Sequence, residues 1–312
     1  MRYGFYLPTR GPTAQPAAVT TMVQRAEMLG FHSVMVADHV VIPAAIESAY
    51  PYTVGGNFLS EEEALEQFTL MTFVAAKTQR LRLVSSILIV PQRNPVLTAK
   101  TIATLDWLSG GRVTVGVGVG WMREEFEALD AAPFNRRGAV TNEYLEIFKQ
   151  LWTEDVSSHA GKFYSFDGLR FAPKPLQNPH PPIWVGGHSD AALRRVAQHA
   201  DGWHPVGATA ASPLPPEEVA RKREFILEHA AQHGRSFDSL DIAYKAPIYD
   251  GGRAPAGETR RLFSGSTDAI VEDINAFISS GVTELVFDFR SPSVAESIER
   301  MQWFAETIMP KT

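Results

Sequence analysis

The chain of 312 residues has no cysteine. Disulfides, thiolate nucleophiles and cysteine-based zinc sites are therefore excluded. It also lacks any run of the about 18 apolar residues that a membrane-spanning helix needs. Its opening, MRYGFYLPTR, goes straight into strand-like sequence without the apolar stretch of a signal peptide. A cytoplasmic protein with no membrane partner is the expectation. A surplus of positive charge is missing too: 29 Lys and Arg stand against 35 Asp and Glu, a formal charge of −6. Nucleic-acid binders normally present a basic face, so that class is disfavoured. There is no HExxH, and no His-x-His closes the first strand, where YLPTR stands, so a metal-dependent barrel hydrolase has little support. What the chain has is apolar mass. Hydrophobic residues make up 45%, enough for a large core and against general disorder.

Strand-like and helix-like segments alternate from end to end. An apolar run over residues 3–7 stops at Pro8. Residues 16–29 carry Val19, Met22, Val23, Ala26 and Leu29 at helical spacing, and Gly30 ends that helix. Strands are expected at 33–37, 81–90, 112–117, 183–185, around Trp203, at 240–246 and at 285–289. Helices are expected between them, one opened by Asn94 as N-cap with Pro95 at N1, and the last by a Ser293/Glu296 capping box. Eight strands, each followed by a helix, predict an α/β fold of the (β/α)8 TIM-barrel type over residues 1–312 as one domain. A doubly wound sheet fits less well, because no linker or composition break divides the chain. Three segments exceed ordinary loop length: 40–60, 153–182 with a hairpin expected in GKFYSFDGLRF, and 248–264. The first and last follow strands and so belong to the C-terminal face, where barrel active sites form.

Residues just past the strand ends converge there. Asp38 and His39 follow strand two, Ser85 and Ser86 lie late in strand three, GVGVGWMREEF follows strand four, GGHSD follows strand five, and His204 follows strand six. An imidazole titrating near neutrality suits His39 as a general acid or base, with Asp38 orienting it or bonding a ligand. The alternative is a turn cap and a bystander. GGHSD, with Gly186, Gly187, His188 and Ser189, suits an anion: glycines admit close backbone approach, and Ser189 caps a helix whose free N–H groups face a phosphate. An ordinary tight turn reads the same way. GVGVG lacks the third glycine of a dinucleotide fingerprint. Its small residues clear room for a flat ring or for close strand packing. Glu124 and Glu125 read as first-turn acids of a helix, with one of them open to the pocket.

The order and spacing of these blocks resemble the luciferase-like flavin and deazaflavin oxidoreductases, a family of (β/α)8 barrels. The likeness runs from residue 2 to about residue 205 and is densest at 93–129 and 181–203. VADHVVIP is similar to the Asp-His motif of the branch that uses coenzyme F420, and YPYTVGGNF to its substrate loop. The resemblance implies that Asp38 contacts the deazaflavin and that His39 lies near the hydride-transfer face. It also implies a non-proline cis peptide at Ser86–Ile87 behind the ring. Val119, Gly120 and Glu124 would touch the ring or its tail, and Gly186, Gly187 and Ser189 the phosphate. Trp121 departs from the sugar-phosphate dehydrogenases of that branch, which have glutamate there. It implies a more apolar substrate or a stacking wall, a packing residue at the rim being the alternative.

The expected activity is hydride transfer between F420 and a small organic substrate. An FMN-dependent monooxygenase fed reduced flavin by a separate reductase is the second reading, and a non-catalytic flavin-binding protein the third. A homodimer is a further expectation from the family.

Overall fold

The computed structural model describes residues 1–58, 64–237, 240–246 and 260–312. In chain order the elements are β1 (Arg2–Tyr6), α1 (Pro16–Met28), β2 (Ser33–Val36), α2 (Gln67–Lys77), β3 (Arg82–Ser85), β4 (Leu88–Ile89) and α3 (Pro95–Ser109). Next come β5 (Val113–Gly118), α4 (Arg123–Ala128), α5 (Arg137–Thr153), β6 (Val156–Ala160), β7 (Ser165–Arg170), β8 (Ile183–Gly186) and α6 (Asp190–His199). β9 (Gly202–His204), α7 (Pro216–Gln232), β10 (Asp241–Lys245), α8 (Thr267–Ser279), β11 (Glu284–Phe287) and α9 (Val294–Thr307) complete the chain.

The barrel strands are short, mostly apolar runs buried on both faces, as parallel strands under helices must be. They pair in the ring β1-β2-β3-β5-β8-β9-β10-β11, which closes where Phe5 of β1 meets Phe287 of β11. The result is a closed parallel (β/α)8 barrel. Met35, Val84, Trp184, Ala243 and Val286 fill its interior, none more than 2% exposed. The outer layer follows helical periodicity: Val19, Met22, Val23 and Ala26 of α1 are all buried, each full burial contributing about 1.5–3 kcal/mol for the larger side chains. Asn94 caps α3 through Leu97 N–H at 3.0 Å, with Pro95 at N1.

Three local expectations need correction. The third strand is not continuous over 81–90. β3 ends at Ser85, a cis Ser86–Ile87 peptide follows, and β4 resumes farther up β5, with Leu88 beside Val117. The hairpin pairs β6 with β7, so its first strand is the polar VSSHA, and the GKFY stretch is its turn. There the Glu143 carboxylate accepts from the amides of Lys162, Phe163 and Tyr164. Only half of the last capping box forms: Ser293 accepts from Glu296 N–H at 3.2 Å, while the Glu296 carboxylate turns to Arg300 at 2.8 Å. Of the expected long segments, 59–60 and 248–259 lie outside the described residues.

Candidate active site at the barrel mouth

The floor of the mouth is built where β3 stops. The Ser86 hydroxyl lies 2.7 Å from His204 Nε2, and His204 Nδ1 lies 2.6 Å from the Ala243 carbonyl. Burial pushes the His204 imidazole down to about 4, so the ring is neutral at physiological pH. A carbonyl only accepts, so Nδ1 carries the hydrogen and Nε2 takes the one from Ser86. The Tyr6 hydroxyl donates to the Ser86 carbonyl at 2.5 Å, and the Lys245 ammonium sits 3.4 Å from the Tyr6 ring centroid. The glycines of GVGVG answer to this floor. A Cβ on Gly118 would overlap Ile87 Cδ1, one on Gly186 would come within 2.9 Å of it, and one on Gly116 would overlap the Ser85 carbonyl. Close packing is thus the job of Gly116 and Gly118, and the half-buried Ile87 side chain occupies the space expected to be clear. Gly120 is likewise a packing position: its φ is +80°, and a Cβ would meet Phe126 at 2.7 Å and Ile89 at 2.8 Å. Val119 and Gly120 sit half-buried past the end of β5.

Asp38 and His39 go separate ways. The Asp38 side chain is fully buried, and its carboxylate accepts from both terminal nitrogens of Arg93, at 2.7 and 2.6 Å, and from Ile89 N–H at 2.8 Å. It braces β4, and it does not orient His39. That task belongs to Glu125, whose Oε2 lies 3.1 Å from His39 Nδ1. Glu125 Oε1 accepts from the amides of Val40 at 2.8 Å and Val41 at 3.4 Å. Burial pulls the Glu125 carboxyl upward, but the bonds from His39, Val40 and Gln92 together outweigh it and hold it below its ordinary range. The ionised carboxylate only accepts, so His39 Nδ1 carries a hydrogen. Nε2 has no partner among the described residues.

Residues 40–58 fold over this pair. Tyr50, Phe58 and Trp121 form a mutual ring cluster with centroids 5.0–5.3 Å apart, and His39 packs on Phe58 at 5.2 Å and on Trp121 at 6.5 Å. Trp121 is therefore a wall shared by the cover and the histidine. Glu124 lies on the outer side, its Oε1 accepting from the amides of Glu47 at 2.8 Å and Ser48 at 2.9 Å. The two consecutive glutamates thus pin the cover at two points, Val40–Val41 and Glu47–Ser48. Arg290, paired with Asp288 at 2.5 Å, faces Tyr6 and Tyr50 on the opposite side.

The GGHSD turn lies on the strand next to GVGVG. Gly187 has a φ of +86°, and a Cβ there would meet only Ala192 Cβ, at 3.6 Å. Ser189 caps α6, accepting from Ala192 N–H at 3.3 Å and keeping its own hydrogen to give. His188 Nδ1 is buried with no partner. Its imidazole is pushed down first by burial and then by Lys222, so Nδ1 or Nε2 is an open acceptor. Backbone donors, a hydroxyl and an open cradle at a helix N-terminus fit a phosphate group.

The sequence model of the luciferase-like monooxygenases matches residues 1–251. The chain belongs to this family. An uncharacterized protein of Mycobacterium tuberculosis, Rv0940c, is 31% identical over 301 residues, 93% of this chain and 94% of that one. The FMNH(2)-dependent dimethylsulfone monooxygenase of Pseudomonas putida is 38% identical over 141 residues, 45% of this chain and 38% of that one. Among solved structures, an F420-dependent secondary alcohol dehydrogenase in complex with an F420-acetone adduct superposes with a TM-score of 0.76 at 18% identity, covering 99% of this chain and 98% of that one. Luciferase-like oxidoreductases and monooxygenases are the enzyme classes of this family. No helix among the described residues is long and apolar enough to cross a membrane. Arg93, Tyr6 and Lys245 join the candidate site without having been marked in the sequence; of the three, Arg93 alone stands in the densest family-like block, at its head.

Proposed function

We propose that this chain is an F420-dependent oxidoreductase that passes a hydride between the deazaflavin and a small organic substrate. The observation that carries the reading is the His39–Glu125 pair set beside the Ile87 floor, under an aromatic cover. The deazaflavin, when bound, supplies the hydride chemistry at its C5 carbon. Gly186, Gly187 and Ser189 would hold its phosphate, and Ile87 would back its ring. His39 Nε2 gives or takes the proton that accompanies the hydride, while Glu125 fixes the tautomer and stabilises the imidazolium. Phe58, Tyr50 and Trp121 exclude water and favour an apolar substrate. We infer also a cytoplasmic homodimer, which light scattering on the purified protein tests.

A second reading, an FMN-dependent monooxygenase served by a separate reductase, draws support from the stretch similar to the dimethylsulfone enzyme. Titration with F420 and with FMN, followed by cofactor fluorescence, separates the two. Binding of F420 tighter than FMN by about tenfold or more is expected; tight FMN binding without F420 binding reverses the ranking.

A further inference from the structure

A cleft of about 550 Å³ opens beside the cover, sharing Trp121 with the mouth. Ser48, Pro51, Phe134, Arg123 and Arg137 complete most of its walls. The Arg123 and Arg137 guanidiniums lie 4.6 and 4.1 Å from the centroid of the same Phe134 ring. Arg137 also donates to the Gly120 carbonyl at 3.1 Å and the Phe134 carbonyl at 2.9 Å. Among the described residues neither arginine is paired with a carboxylate, whereas Arg93, Arg260 and Arg290 each sit on an aspartate. Glu124 borders the cleft: its Oε1 serves two amides of the cover, its Oε2 has no partner among the described residues, and neither oxygen is paired with an arginine, while Glu47 is exposed at the rim. Burial, and then the charge of Arg123, hold Arg137 below the ordinary arginine range. Two cations held against one ring without an acid between them repel, and an anion placed there relieves that repulsion.

The location matters as much as the charge. β5 and β8 are neighbours in the barrel, with Val117 beside Val185. Arg195 of α6 donates to the carbonyl of Gly138, the residue after Arg137, at 3.1 Å. The cleft and the GGHSD turn therefore belong to adjacent strand–helix units on one face. FMN ends in a single phosphate, which one turn satisfies. F420 continues past its phosphate into a lactyl ester and a chain of glutamates, and so brings further carboxylates.

We propose that the Arg123–Arg137 cleft receives the carboxylate tail of the deazaflavin, beyond the phosphate held at residues 186–189. The assignment rests on the F420 reading above. Guanidiniums recognise carboxylates with geometric specificity that a lysine would not give.

The test is fluorescence titration of the full chain with F420, with the deazaflavin 5′-monophosphate that lacks the lactyl-glutamyl tail, and with FMN. Wild type should bind F420 about tenfold tighter than the monophosphate. Arg123→Gln/Arg137→Gln should weaken F420 by about tenfold and the monophosphate by less than about twofold, and should flatten the salt dependence of F420 binding. Equal weakening of both ligands, or none, overturns the proposal while leaving F420 as the cofactor. Binding of FMN alone by wild type removes the F420 reading and the tail site with it. Arg137 bonds to backbone, so the double variant is checked for folding by circular dichroism. Arg123→Gln, whose side chain packs on the Phe134 ring and takes no side-chain hydrogen bond or ion pair among the described residues, should by itself give about a threefold loss specific to F420, and its absence counts equally against the site.

Discussion

Glu125 at the mouth and Glu284 at the base are 1% and 0% exposed, yet their carboxyls are pushed in opposite directions. Glu125 accepts from two backbone amides and an imidazole, and these donors hold its charge in spite of burial. Glu284 accepts from the Ser33 hydroxyl, leaves Oε2 without a partner, and has Arg2 Nε only at 3.8 Å. Burial raises it to about 7, against the pull of Ser33 and Arg2. Depth alone therefore does not set ionisation in this barrel; the count of donors aimed at the carboxylate does. At the mouth the consequence is a fixed anion that defines a histidine. At the base it is a carboxyl that holds its proton up to about pH 7.

The most forceful way to break this contrast is to remove what the mouth anion serves. His39→Ala should lower turnover by about 10²–10⁴-fold while leaving cofactor affinity within about twofold, measured by steady-state kinetics and fluorescence titration. Unchanged turnover would return the chain to the non-catalytic reading. Glu125→Gln comes next. A glutamine has one acceptor oxygen where the carboxylate uses two: if its oxygen meets His39 its NH2 opposes the Val40 and Val41 amides, and if its oxygen meets those amides its NH2 opposes the hydrogen on His39 Nδ1, so the imidazole changes tautomer or swings away. A loss of about 10–10²-fold in turnover is expected, with the melting temperature falling because one neutral amide oxygen replaces the two charged acceptors that serve His39 and the Val40–Val41 amides. Glu125 also has a pH window of its own. Its folded carboxyl titrates below the unfolded one, so its stabilisation is complete above the ordinary carboxylate range and is lost as the pH falls through the folded value. The Gln variant should lack that acid-side loss.

Most of the barrel could be read from the chain because its signals are local. The α1 stripe, the Asn94–Pro95 start of α3 and the Ser189 cap each involve residues within four positions of one another. The site was legible only as a neighbourhood. Asp38 and His39 follow the end of β2, as the strand pattern implies, but their partners lie far off: Arg93 is 55 residues from Asp38, and Glu125 is 86 from His39. No periodicity links such pairs, so neither the Arg93 brace on Asp38 nor the Glu125 contact with His39 is legible from the chain. The break between β3 and β4 was invisible to hydropathy, since LRLVSSILIV reads as one apolar run. The resemblance to a family pointed to it. The first strand of the hairpin was missed because VSSHA is polar and half exposed, and its pairing with β7 is a tertiary fact.

Glu284→Gln sharpens the contrast from the other end. Below about pH 4.5 the wild-type carboxyl is protonated whether the chain is folded or unfolded. As the pH rises toward about 7, the unfolded chain releases this proton and the folded one keeps it, so stability falls. Above that the cost is complete, on the order of 3 kcal/mol as an upper bound. The neutral variant should therefore match wild type near pH 4 and exceed it by roughly 1–3 kcal/mol near pH 8 in urea unfolding. Parallel curves across this range would mean that the base holds a charged carboxylate, and the two ends of the barrel would no longer differ.

The smallest effect concerns a group that serves the fold and keeps something in reserve. Ser189 accepts one amide of α6 at 3.3 Å and still has a hydroxyl hydrogen to donate. Ser189→Ala should cost about 1 kcal/mol from the lost cap, a drop in melting temperature of about 2 °C. Ser189→Asp keeps a capping oxygen and adds a favourable charge at the helix N-terminus, so its stability should stay within about 0.5 kcal/mol of wild type. The same carboxylate would stand where a phosphate is to bind. If the turn is an anion site, the stable Asp variant should lose more affinity for the deazaflavin 5′-monophosphate than the less stable Ala variant does. If affinity instead follows stability, the turn is a helix cap and nothing more, and only the His39–Glu125 end of the mouth keeps a claim to the ligand.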